Sequence, residues 1–253
     1  TLNNVKLTDA ENYLIYTTSG GVEVNISNSS LITAPNKYAV ITNISENPDE
    51  DVVINLDNTY VGMKATDSSI RYGASGAVFV RGDSTQKHDY DDQLDYASVT
   101  ITNCEFEDIS EGNFSIIPVQ LDWADEIDLT VENTDILVNK NHYAIRFYGV
   151  GKEDTVSDLR IDNCNLKAWA SLYIQADSRN VKGTVTNSTL TGVNENSGDT
   201  DGFATISIDS SAGNEIDFNN CTIIFNKNAK ASQQAVSIYY YDHTGIDGGN
   251  IVN

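Results

Sequence analysis

The chain of 253 residues has only three prolines, three cysteines and 15 lysines and arginines. So little proline suits a backbone committed to sheet hydrogen bonds, because proline lacks the donor that a sheet needs. Cys104, Cys164 and Cys221 are odd in number, include no CxxC pair and do not cluster with histidine. Neither a disulfide framework nor a zinc site is therefore signalled. The shortage of basic residues, set against 37 Asp and Glu, leaves a formal net charge of −22. Such a surface repels nucleic-acid phosphates and anionic lipid headgroups, so neither is an expected partner. No secretory leader is visible and no apolar run is long enough to span a bilayer, so membrane insertion is not expected.

What remains is a globular composition, with 40 % hydrophobic residues and 17 glycines. The surplus carboxylates would attract cations, and calcium is the ion for scattered carboxylates in an extracellular setting. Alternatively they only keep a repetitive, edge-rich protein soluble. The expectation is no cofactor, with calcium as the candidate ion.

One phrase keeps returning: apolar-x-apolar-x-Asn-small-x-apolar. It reads Val24-Asn25-Ile26-Ser27-Asn28-Ser29-Ser30-Leu31 at its first occurrence. The marker asparagines are Asn28, Asn58, Asn103, Asn133, Asn163, Asn187 and Asn220, spaced by 30, 45, 30, 30, 24 and 33 residues. A short apolar strand follows each marker after a variable gap, as in Ala77-Val78-Phe79-Val80 and Ala144-Ile145-Arg146-Phe147. Alternation with period two means strands, and length variation confined to the gaps means a solenoid with loops on fixed sides. A β-sandwich gives no reason for the same asparagine to recur, and no sustained helical period supports an α-solenoid.

Stacking at about 4.8 Å puts equivalent residues in columns. Four columns are predicted to point inward: Val24 to Ile216, Ile26 to Phe218, the small residues Ser29 to Cys221, and Leu31 to Ile223. Gly183 leaves a thin spot in the first. Asparagine suits the corner because it tolerates left-handed backbone and its amide both donates and accepts. The same position explains why Asn28, Asn187 and Asn220 match glycosylation sequons. The cysteines fall in the small column, where they are read as buried thiols acting as small apolar residues.

These columns resemble the right-handed parallel β-helix of the pectate-lyase-like superfamily, with its asparagine ladder at one tight corner. The resemblance implies an all-β fold: a right-handed parallel β-helix of about seven coils. It would form a single domain over 1–253, with a repeat core at about 22–241. Residues 1–21 would be a cap or first coil and 242–253 a further coil or tail. The chain begins and ends inside repeat-like patterns, which suggests one domain of a longer protein. In character it is closest to bacterial surface or adhesin-type members, which implies a non-catalytic extracellular or cell-surface module that binds polysaccharide or host glycan. The alternative is a polysaccharide lyase or glycoside hydrolase acting on an acidic polysaccharide.

Members that are enzymes carry their chemistry on the outward face of one sheet. The matching outward positions here include Phe79, Arg81, Gln120, Asp122, Arg146, Tyr148, Tyr173, Gln175, Asp209 and Tyr239. Rings stack on sugars and polar groups hold hydroxyls, so these are the candidate ligand-binding residues. If catalysis occurs, Arg81, Asp122 and Arg146 are its candidates, a basic residue abstracting the proton. The polygalacturonase-like signature fails: Asn133-Thr134-Asp135 is a ladder repeat, and no Gly-His-Gly or Arg-x-Lys follows it.

Two insertions stand out. The acidic stretch 88–95 carries Asp89, Asp91, Asp92 and Asp95, candidate calcium ligands that lack the glycine and terminal glutamate of an EF-hand loop. Residues 194–202 read as a surface excursion. Arg81-Gly82-Asp83 matches the integrin-binding tripeptide, a common chance match. His142 and His243 have no catalytic partner at a telling spacing.

Overall fold

The apolar alternation does become strand, and every strand pairing among the described residues is parallel. The computed structural model describes residues 1–8, 10–67, 75–82, 93–112, 114–138, 143–152, 154–175, 178–193, 204–209, 213–225, 235–239 and 251–253. The described residues form no helix, and their strands make two curled sheets, one of 16 strands and one of eight. Each strand pairs with its counterpart one repeat further along the chain. Val24, Ile54, Val99, Leu129, Leu159, Gly183 and Ile216 are successive partners. In the smaller sheet Leu31, Val61, Phe106, Ile136, Leu166, Leu190 and Ile223 are matched in the same way. These columns meet in one hydrophobic core, so the period-two pattern fixes both register and inward face. Toward the N-terminus, Leu2–Asn3 pairs with Ile26–Ser27, Lys6–Leu7 with Ser30–Leu31, and Ile15–Ser19 with Tyr38–Glu46. Ile251–Val252 pairs with Glu215–Ile216 at the other end.

The marker asparagines turn one corner, all with left-handed backbone at φ between 45° (Asn58) and 56° (Asn103). The Nδ2 groups of Asn58, Asn133, Asn163 and Asn220 donate to Oδ1 of the preceding marker at 2.8–3.3 Å. At Asn103 and Asn187 the acceptor is instead a carboxylate, Asp57 at 2.8 Å and Asp162 at 2.9 Å. Each carboxylate also accepts the hydroxyl of the threonine before the later marker, Thr102 or Thr186. Asn3 makes the same fork with Ser27 and Asn28. An acid or amide facing a hydroxyl in the next repeat thus diverts the amide bond. These donated bonds hold the Asp57 and Asp162 carboxyls below their ordinary range.

In the small column Cys104 and Cys164 are the expected buried thiols, whereas Cys221 is only partly buried, and the column has its own chemistry. Every member donates its hydroxyl or thiol to the carbonyl two residues back. Ser29 reaches Ser27, Thr134 reaches Glu132 and Ser188 reaches Thr186 at 2.6–2.8 Å. The thiols of Cys104 and Cys164 do the same at 3.1 and 3.2 Å. The three cysteines are free, and burial pushes the Cys104 and Cys164 thiols up to about 11. Nor is Gly183 a simple void, because a Cβ there would lie 1.8 Å from the Leu159 carbonyl oxygen.

One strand shapes the site. Val119–Glu132 runs 14 residues and changes partners midway. Up to Ala124 it lies between Gly76–Arg81 and Tyr143–Val150; beyond, it lies between Leu94–Thr102 and Ser157–Asp162. The change comes at Trp123, whose φ is 58°. Left-handed backbone in a bulky aromatic residue is a genuine outlier.

Candidate functional site

The strands Gly76–Arg81, Val119–Glu132, Tyr143–Val150 and Ala170–Gln175 lie side by side, and alternation gives each two residues facing away from the main core. Phe79, Gln120, Arg146 and Tyr173 form one row by register. Arg81, Asp122, Tyr148 and Gln175 form the next. Ser207 and Ser237 continue the first row, Asp209 and Tyr239 the second.

Phe79, Arg81, Gln120, Asp122, Arg146, Tyr148 and Gln175 surround one pocket of about 500 Å³, with Trp123 as the eighth wall residue. The face is largely covered: Gln120, Asp122 and Arg146 are each only 5–6 % exposed. Tyr173 is not on the pocket wall, being buried against Tyr143 with ring centroids 4.4 Å apart in a side cluster with Ile117 and Ala170. Of the metal candidates, Asp89, Asp91 and Asp92 lie outside the described residues. Asp95 is exposed in the strand Leu94–Thr102, its amide donating to the Pro48 carbonyl. No group of three or more metal-ligating side chains occurs among the described residues. Asp83, His142, His243 and residues 194–202 also fall outside them.

Two residues of the site break the alternation that found the others. Tyr38 lies across the neighbouring strand, where Gly76 leaves room for its ring: a Cβ there would be 2.4 Å from Tyr38 Cε1. Its ring packs on Phe79 at 4.9 Å, and its hydroxyl donates to Gln120 Oε1 at 2.5 Å. Gln120 Nε2 in turn donates to Asp122 Oδ2 at 2.6 Å. Trp123 is wedged between two glycines at the equivalent positions of adjacent strands. A Cβ on Gly82 would sit 1.8 Å from the Trp123 carbonyl oxygen, and one on Gly149 would sit 2.4 Å from its ring. The indole meets Tyr148 edge-on at 4.8 Å. The recurring Arg81-Gly82 and Tyr148-Gly149 steps were the sequence signal for this second corner.

The electrostatics are those of an unfilled site. Arg146 stacks over the Tyr148 ring at 4.4 Å, yet its guanidinium has no hydrogen bond or ion pair among the described residues. Asp122 keeps one oxygen, Oδ1, without a partner, as does Gln175 at Oε1. Burial pushes the Asp122 carboxyl above its ordinary range, while Arg146, the Gln120 hydrogen bond and Arg81 pull it partly back. A buried guanidinium without an acceptor is costly, so its retention points to an anionic or strongly accepting ligand group. Strain at Trp123 beside it is of the kind that concentrates at ligand sites.

No protein family, curated protein or solved structure matches the chain. Among the described residues no helix is long and apolar enough to cross a membrane.

Proposed function

We propose that the chain is an extracellular, right-handed parallel β-helix module of the pectate-lyase-like kind, of about seven coils with an asparagine ladder, and that it binds an acidic glycan in the Arg146 pocket. The parallel registers, the corner amides and the right-handed preference of parallel crossovers support the fold reading. One observation carries the function: Arg146, buried on an aromatic ring and lacking an acceptor among the described residues, beside a pocket wide enough for a sugar. A carboxylate on a sugar ring would supply the missing acceptor in the bidentate form that guanidinium favours. Tyr148, Gln175 and Asp122 supply a stacking face and hydroxyl partners.

A second reading rests on Asp122. Its raised carboxyl, with Oδ1 buried and unpartnered and two arginines near, also suits proton transfer in a polysaccharide lyase or glycoside hydrolase. Calorimetry with acidic and neutral oligosaccharides, with and without calcium, tests the first reading; unsaturated-product absorbance and reducing ends test the second. Binding of the acidic sugar, lost in Arg146→Ala and unaccompanied by turnover, is the expected result. Turnover abolished by Asp122→Ala or Arg146→Ala would replace the module by the enzyme. No binding and no turnover would overturn both.

A further inference from the structure

The outward row does not end at the pocket. Partner by partner it runs from Arg146 through Gln120, Phe79 and Ile41 to Tyr16. With neighbouring strands about 4.8 Å apart, Tyr16 stands about 19 Å from Arg146 along the row. Its side chain is the most exposed large hydrophobic among the described residues, at 52 %. Yet its ring is already ordered, stacked on Tyr13 with centroids 5.4 Å apart and planes 17° apart. Tyr13 is supported by Tyr38, Ile41 and Phe79, and the Lys37 ammonium sits 4.9 Å from its ring centre. Ring packing is therefore continuous from the exposed Tyr16 to Phe79 on the pocket wall, with a cation beside its far end.

We propose that Tyr13 and Tyr16 form a second, distal stacking platform, so that the site takes an acidic carbohydrate chain several rings long, laid across the strands. Aromatic faces hold the C–H faces of sugar rings, and the exposed ring is fixed before the ligand arrives, which lowers the cost of ordering it. Lys37 beside the stack matches the charge that Arg146 requires at the other end. This inference rests on the reading of the pocket as an acidic-glycan site.

The test is calorimetry with an acidic disaccharide and a hexasaccharide of the same sugar, on the full chain. The hexasaccharide should bind wild type about tenfold more tightly than the disaccharide, the worth of one added ring contact. Tyr16→Ala should erase that advantage and leave disaccharide affinity unchanged, while Tyr16→Phe should retain it. Equal affinity for both lengths, or a length advantage that survives Tyr16→Ala, overturns the platform and leaves the pocket standing. Failure of both sugars to bind wild type overturns the pocket reading and the platform with it. Circular dichroism of the variants, in which only an exposed ring changes, separates lost binding from lost folding.

Discussion

Two corners of this molecule are turned by left-handed backbone, and they differ in what surrounds it. At the first, an asparagine sits at φ near 50° in every marked repeat, and its amide bonds to the repeat before it. At the second, Trp123 at φ 58° stands beside Gly149 at φ 63° and is squeezed between it and Gly82. Asparagine takes this conformation at little cost and gains a hydrogen bond; tryptophan gains neither. The satisfied corner is scaffold. The unsatisfied one stands beside Asp122 and Arg146, of which Oδ1 and Nε are buried without partners.

The comparison can be broken first at the glycines. Gly82→Ala forces a Cβ onto the Trp123 carbonyl, and the strand or the corner must move. A loss of about 3 kcal/mol, together with loss of oligosaccharide binding, is expected. Denaturant midpoints and calorimetry measure the two; unchanged stability would mean that the second corner is not tightly built.

At the asparagine corner the expected effect is smaller and purely structural. Asn133→Ala loses two amide bonds and puts alanine, less tolerant of left-handed backbone than asparagine, at the corner, about 1–2 kcal/mol, while Asn133→Gly loses the bonds without the strain. Binding should survive both variants. If Asn133→Ala weakened sugar affinity, the division between scaffold and site would fall.

The smallest effect has the opposite sign and depends on pH. Folding raises the Asp122 carboxyl, chiefly by burial, so the folded state holds its proton more tightly than the unfolded chain. Its charge then destabilises the fold increasingly as pH rises through the ordinary carboxyl value of about 3.9 and on to the raised one. Asp122→Asn should therefore melt higher than wild type at pH 8, with the difference vanishing near pH 3. A difference that did not change between these pH values would show that burial is not what perturbs this group.

Much of the scaffold was legible because its rules are local. Val24, Ile26, Ser29 and Leu31 recur at fixed offsets from a marker, and period two leaves one way to face them inward. The same alternation placed Phe79, Arg81, Gln120, Asp122, Arg146, Tyr148 and Gln175 together, since outward residues on paired strands must be neighbours. It missed Trp123 and Tyr38, which leave the alternating pattern at a mid-strand corner and at a strand start. Nor could it show how deeply the face is buried, because burial depends on what neighbouring strands bring against it.

The sequence by itself therefore determined strands, register and the left-handed asparagine corner, each dictated by alternation or by a residue's own backbone preference. Only the tertiary structure decided that Arg146 is buried with its Nε unpartnered, that Gln120 ties Tyr38 to Asp122, and that two glycines admit Trp123 between them. Burial and hydrogen-bond satisfaction depend on what the neighbouring repeats bring within a few ångströms, and no residue type carries that information alone.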